Sequence, residues 1–277
     1  MRSGYAVLVA SLSTLAACGG GGPAAPAGLA YGLPSPSTVT YVSGDTANMD
    51  IDAGGQSMQA RTTGRATLTT AFTRAPDGIQ VSLEVTDLDG RVSTPMSSAS
   101  ADENGITGPL VFTMDRRGVV TMVAQPELTE EASQFFSPVG LANGFFPRLP
   151  GRGAQVGEQW TDTVTFEGPQ GPGQVKGVTI LTYTVVGDTV VGGRSAVRLD
   201  VNGTNETTAT GVITGMDFTQ TLKGTTNGWV LFDMGRSLMV ESYSDGDLRG
   251  TMDVAAAPFP LDVRVRSRGW VKLQDPM

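Results

Sequence analysis

Residues 58–72 read MQARTTGRATLTTAF. Met58, Ala60, Thr62, Ala66, Leu68, Thr70 and Phe72 fall on one side of an extended chain, and Gln59, Arg61, Thr63, Arg65, Thr67 and Thr69 fall on the other. Side chains of a strand point alternately to its two faces. Period-two alternation over this length therefore predicts a long strand with one solvated face. Gly64 in its middle predicts a bend or bulge. On the N-terminal side, Gly54-Gly55 suits a hairpin turn. On the other side Pro76-Asp77-Gly78 turns the chain, and Ile79, Val81, Leu83 and Val85 alternate with Gln80, Ser82 and Glu84. Asp89-Gly90 reads as the next turn.

The same pattern extends in both directions. Val39–Val42 and Asn48–Asp52 are short strand candidates, and residues 93–108 are polar and loop-like. Leu110–Asp115 and Val119–Ala124 form a hairpin across Arg116-Arg117-Gly118. Further strands are expected at Gln159–Glu167, Val175–Val186, Val190–Val201, Thr204–Thr226, Trp229–Met234, Leu238–Ser244 and Leu261–Leu273. Their short connections favour antiparallel neighbours. Between the two β-rich halves lies a different segment, residues 126–157. There Glu127–Phe136 predicts a helix, with Thr129 as its cap and Glu130 and Glu131 at its positive end. A Gly- and Pro-punctuated stretch follows, and four of the ten phenylalanines sit within residues 135–146. The expected fold is mainly β: a bent antiparallel sheet or half-open β-barrel with long hairpins and one short helix at about 127–136. It forms a single domain over residues 38–277.

Composition narrows the chemistry. The chain has 277 residues, no histidine, one cysteine and a formal net charge of −8. Lack of histidine excludes Ser-His-Asp and Cys-His catalysis and a His-ligated zinc site. A single cysteine excludes an intramolecular disulfide. The acidic balance disfavours nucleic acid, whose phosphates it would repel. Asp87-Leu88-Asp89-Gly90 and Asp245-Gly246-Asp247 lack the oxygen count and distal Glu of a calcium loop, so they read as turns. Asp162, Asp217, Asp233 and Asp253 lie in β-like runs, but no motif pairs any two of them for acid–base work. No metal, cofactor or enzymatic activity is expected.

The N-terminus carries an address. Arg2 precedes an apolar run, Tyr5–Leu15, and then Leu15-Ala16-Ala17-Cys18. That run is shorter than the 20 or so residues a membrane span takes. It has the layout of a secretory leader. The motif resembles the lipobox of bacterial lipoprotein precursors. The resemblance implies that residues 1–17 are a signal peptide and that Cys18 becomes the acylated N-terminus, carrying a diacylglycerol thioether and an amide-linked acyl chain. Two or more chains anchor stably. In that family Asp after the cysteine favours inner-membrane retention. Gly19 here implies the outer membrane, at its periplasmic leaflet or the cell surface, in a Gram-negative cell. Residues 18–37 read as the lipidated cysteine and an uncharged Gly/Pro/Ala tether with a span of about 25 Å. The mature domain resembles uncharacterised β-rich envelope lipoproteins through Val156-Gly157-Glu158-Gln159-Trp160. At the level of fold alone it is similar to lipoprotein and lipid carriers of the Lol type.

Two surfaces are candidates for binding. Leu128, Phe135, Phe136, Leu141, Phe145 and Phe146 form either core or a lid over a ligand cavity. Arg264, Arg266 and Arg268 alternate along the last strand and offer either an anionic contact or an ordinary solvated face. The expected function is that of a non-enzymatic, membrane-anchored envelope lipoprotein holding a hydrophobic or amphipathic ligand in the sheet's concavity. The alternatives are an assembly lipoprotein presenting its sheet to an envelope protein and, least favoured, a carboxylate hydrolase.

Overall fold

In the computed structural model the described residues are 28–95, 97–170, 173–213, 215–255, 257 and 259–274. The leader, Cys18 and the first part of the tether lie outside them. The strands are β1 (Thr38–Asp52), β2 (Ser57–Ala75), β3 (Gly78–Ser93), β4 (Ser98–Asp102), β5 (Ile106–Thr107), β6 (Leu110–Met114), β7 (Val120–Ala124) and β8 (Glu127–Leu128). Helices α1 (Glu130–Ser133) and α2 (Pro138–Gly144) follow. Then come β9 (Gln159–Gln170), β10 (Gly173–Val191), β11 (Arg194–Ile213), β12 (Met216–Asp233), β13 (Leu238–Val254) and β14 (Leu261–Gln274).

One antiparallel sheet has the order β7-β6-β3-β2-β1-β14-β13-β12-β11-β10-β9, with β4 added beside β3. The two β-rich halves join where β1 pairs with β14, Tyr41 opposite Leu273 and Ile51 opposite Val263. The sheet curls into a half-barrel, because α2 packs on β9 at one edge and on β6 and β7 at the other. An ion pair spans the same gap: Arg117, in the β6–β7 turn, reaches Asp162 on β9 at 3.5 Å. This is the bent, half-open sheet expected from the alternation.

The strands run longer than local signals suggest. Val39–Val42 and Asn48–Asp52 belong to one strand, β1. Asp87–Gly90 is not a turn but lies inside β3, opposite Gly64–Thr67, where Thr86 is the extra residue of a bulge. Asp245–Asp247 is likewise strand, opposite Arg266–Arg268. In both places pairing with a long neighbour outweighs the turn preference of Asp and Gly. The expected Thr204–Thr226 strand is divided by the β11–β12 turn after Ile213. Gly224 and Gly228 on β12 let the sheet coil tightly, since a Cβ on either would overlap the carbonyl of Asp247 or Tyr243 on β13.

The helical segment also differs from its sequence reading. Thr129 does cap α1, accepting from the Ala132 amide, but the helix ends at Ser133. Glu127 and Leu128 pair with β5 instead. Residues 138–144, read as loop, form α2, whose Ser137 cap accepts from the Gly140 amide. Pro138 fits there because a first-turn proline removes a donor that has no helical partner.

The tether also ends earlier than its composition implies. Leu29, Ala30 and Tyr31 are buried. Leu29 bridges to Arg152. The Tyr31 amide donates to the Arg116 carbonyl, and its hydroxyl donates to the Pro147 carbonyl at 2.9 Å. Leu29–Tyr31, which composition assigns to the tether, therefore belong to the folded domain.

Candidate ligand cleft

The concave face of the sheet is apolar at one end and lined by small residues in its middle. At the closed end Tyr41, Leu68, Phe112, Leu199, Phe232 and Met239 are almost wholly buried. Phe145 and Phe146, just after α2, insert among them. Phe146 meets Tyr31, Phe72 and Phe145 edge-on, and Tyr41 meets Phe145 in the same way at 5.2 Å between ring centres. Such edge contacts suit the ring quadrupole. The Tyr41 hydroxyl donates to the Met239 carbonyl at 2.9 Å. Burial pushes the Tyr31 and Tyr41 hydroxyls up, and the Tyr183 hydroxyl to about 12, so these tyrosines stay neutral hydrogen-bonding posts.

One step along the strands the inward positions become Asp45 on β1, Gly269 on β14, Ser244 on β13, Gly228 on β12 and Val201 on β11, which lie opposite one another in register. These residues are too small to fill the curl. The result is a cleft of about 560 Å³ between the sheet and the α1–α2 segment. Phe135, Phe136 and Leu141 form its helical wall, and Val164, Phe166, Leu181, Val201 and Val230 form its sheet wall. Volume and lining fall in the range of sites for small apolar ligands. A second depression of about 900 Å³ opens along β3, β4 and α1, but Asp89, Arg91, Ser98, Ser100, Asp102 and Glu131 line it. It is wide and polar, and the cleft under α2 is the better-formed site. Beyond the cleft a smaller apolar group, Leu222, Met252 and Val263, lies toward the other end of the strands.

The six residues of the proposed lid thus separate. Phe145 and Phe146 belong to the core cluster and also border the cleft. Phe135, Phe136 and Leu141 wall the cleft, with the Phe135 ring lying over Gly90 of β3. Leu128 sits in the small β5–β8 pair, away from the cleft lining.

Two charged residues line the cleft. Asp45 points inward from β1 opposite Gly64, in contact with solvent but with its carboxyl raised by the desolvation of its surroundings. Arg148 follows the aromatic pair and is 5% exposed. Its backbone is fixed from both sides: its carbonyl accepts from the Trp160 indole at 2.9 Å, and its amide donates to the Tyr183 hydroxyl at 3.2 Å. Trp160 and Tyr183 stack at 5.4 Å. Neither charged residue stood out in the sequence as a site. The signal that could have found Arg148 is a lone charge inside Phe145-Phe146-Pro147-Arg148-Leu149.

The convex face is different. Arg264, Arg266 and Arg268 do share it, as their alternation implies, but each meets a carboxylate. Arg264 pairs with Asp247, Arg266 with Asp50 at 2.8 Å and Arg268 with Asp245 at 3.0 Å. Hydrogen bonds from Arg264 hold the Asp247 carboxyl below its ordinary range. A cross-strand ladder of this kind is a solvated, charge-balanced surface and not a free basic stripe. Elsewhere on this face apolar side chains are exposed as well, Val178 and Ile180 on β10 and Trp270 on β14 among them. Among the described residues no helix is long and apolar enough to cross a membrane.

Of the four aspartates weighed for acid–base work none lines the cleft, and Asp217 and Asp253 lie on the adjoining strands β12 and β13, Asp253 opposite Thr219. Asp162 pairs with Arg117, Asp233 pairs with Arg236, and Asp45 is the one carboxylate among the described residues lining the cleft. No family model matches the chain. No curated protein matches it either. Among solved structures, an outer membrane channel from Pseudomonas putida F1 aligns at 10% identity over 88% of this chain and 97% of that one, with a TM-score of 0.31. Neisserial surface protein A aligns at 9% identity over 84% and 96%, with a TM-score of 0.24. At such scores the likeness does not amount to a shared fold.

Proposed function

We propose that the protein is a lipid-anchored envelope protein, not an enzyme, that holds a hydrophobic or amphipathic ligand in the cleft beneath α2. The observation that carries this reading is the unfilled middle of an otherwise well-packed concave face. Protein interiors pack to the density of organic crystals. A gap of about 560 Å³ walled by phenylalanine, leucine and valine is space kept for something else. The polar edge at Ser43, Asp45, Ser244 and Asn205 gives a ligand's hydrated end a place to face.

The anchor completes the reading. Acylation of Cys18 holds the domain at a membrane surface, by resemblance the periplasmic leaflet of an outer membrane or the cell surface. With Leu29–Tyr31 packed in the domain, the segment between Cys18 and the fold is short. The domain then works close to the lipid surface from which an apolar ligand would come. The test is native mass spectrometry of the chain from position 18 onward carrying Cys18→Ser, which keeps every residue of the described fold. A co-purifying lipid-like mass, or uptake of N-phenyl-1-naphthylamine, is the expected result. Absence of both contradicts the reading. For the anchor, Cys18→Ser in cells moves the protein from the membrane to the soluble envelope fraction, and persistence on membranes after a high-salt wash contradicts it.

A further inference from the structure

Resting on the cleft reading, we infer that the ligand carries an anionic head, a carboxylate or a phosphate, that pairs with Arg148. Arg148 lines the cleft and is 5% exposed. Among the described residues no carboxylate lies within ion-pair distance of it. Its guanidinium instead donates to the Gly118 carbonyl and, at 3.4 Å, to the Asn143 side-chain oxygen. A buried charge without a counter-charge is costly, and proteins pair such groups or place them where a ligand does so.

The surroundings add to the argument. Asp162 acts on the Tyr183 hydroxyl together with Arg148, but its ion pair is with Arg117. Neither Arg117 nor Asp162 lines the cleft, so Arg148 is the one cation among the described residues that does. The planar fork of an arginine suits carboxylate and phosphate oxygens in particular. Rigidity is provided as well: Trp160 and Tyr183 fix the Arg148 backbone, and the side chain has two carbonyl-type acceptors. The other charged lining group, Asp45, repels an anion, so it sets the head at the Arg148 end. The apolar chain then lies against Phe136, Leu181, Val201 and Val230. The inferred ligand is a single-chain anionic amphiphile.

The experiment compares dodecanoate, dodecyl phosphate and 1-dodecanol as displacers of N-phenyl-1-naphthylamine from the chain from position 18 onward carrying Cys18→Ser. At least one anionic displacer is expected to bind about tenfold tighter than the alcohol. A preference for dodecanoate identifies a carboxylate head and a preference for dodecyl phosphate a phosphate head. In Arg148→Gln the anionic preference falls toward unity while 1-dodecanol binding stays within about threefold, and Arg148→Lys retains part of the preference. Equal binding of all three in the wild-type protein overturns the head-group assignment and leaves the apolar cleft standing. Failure of the neutral probe and of 1-dodecanol to bind overturns the cleft reading itself. Because the wild-type comparison is decisive, a poorly folding Arg148→Gln does not blunt the test.

Discussion

The closed end of the half-barrel and its middle are built from the same strands, yet one is full and the other is hollow. The inward residues change within one or two positions: Tyr41 gives way to Ser43 on β1, Leu273 and Val271 to Gly269 on β14, and Val230 to Gly228 on β12. At the closed end the missing wall of the barrel is supplied by Phe145, Phe146 and the N-terminal segment Leu29–Tyr31, all in one core with the sheet. In the middle the covering residues, Phe135, Phe136 and Leu141, meet a floor too small to reach them. Stability and binding therefore belong to adjacent layers of one concavity, divided by side-chain size and not by fold.

The sharpest way to break that division is at the N-terminus. A chain starting at Ser37 loses Leu29 and Tyr31 from the closed end, and urea denaturation is expected to place it roughly 3–6 kcal/mol below a chain starting at Gly28. Equal stability would mean that the segment is not core. Next, Phe146→Ala is expected to cost about 3–5 kcal/mol through lost burial and a cavity. Phe136→Ala, in the cleft wall, is expected to cost about 1–2 kcal/mol and to weaken probe uptake more than Phe146→Ala does per unit of stability lost. A reversed order would merge the two layers into one core. Tyr41→Phe leaves the buried Met239 carbonyl without its donor and should cost about 1–2 kcal/mol. On the convex face, Arg266→Gln should change stability by less than about 1 kcal/mol, and less again at high salt, because the pair is largely exposed.

Asp45 sharpens the comparison through pH. Its carboxyl is raised in the folded protein, so the folded state binds its proton more tightly than the unfolded chain does. Stability from this group is thus gained as pH falls toward the folded value and lost as pH rises through it. Asp45→Asn should remove that component of the pH profile between neutrality and the ordinary carboxylate range and raise stability at neutral pH. A profile unchanged by Asp45→Asn would place the carboxyl in bulk-like solvent, outside the cleft.

The sheet could be read in the sequence because alternation is a property of each strand by itself. Met58–Phe72 was sufficient to predict a long two-faced strand, and β2 runs from Ser57 to Ala75. Strand ends were less legible. Asp87–Gly90 and Asp245–Asp247 look like turns locally, and only their pairing with β2 and β14 keeps them extended. Leu29–Tyr31 was hidden for a similar reason: its burial depends on Phe146, Pro147 and Phe232, more than a hundred positions away in sequence. The cleft was half legible. The aromatic cluster at 135–146 marked the helical wall, whereas the floor is an absence of bulk spread over five strands, which no local pattern displays. The alternation of Arg264, Arg266 and Arg268 did place them on one face, but their partners Asp50, Asp245 and Asp247 come from neighbouring strands.

The claim that the middle of the concavity is kept open for a ligand is tested most directly by filling it. Ser244→Phe sets a ring on the cleft floor between Gly228 and Gly269 without removing any core side chain. Binding of N-phenyl-1-naphthylamine should be detectable in the wild-type protein and lost in Ser244→Phe, with the β-type circular dichroism spectrum and melting temperature retained. Unchanged probe binding in a folded Ser244→Phe protein would contradict the account.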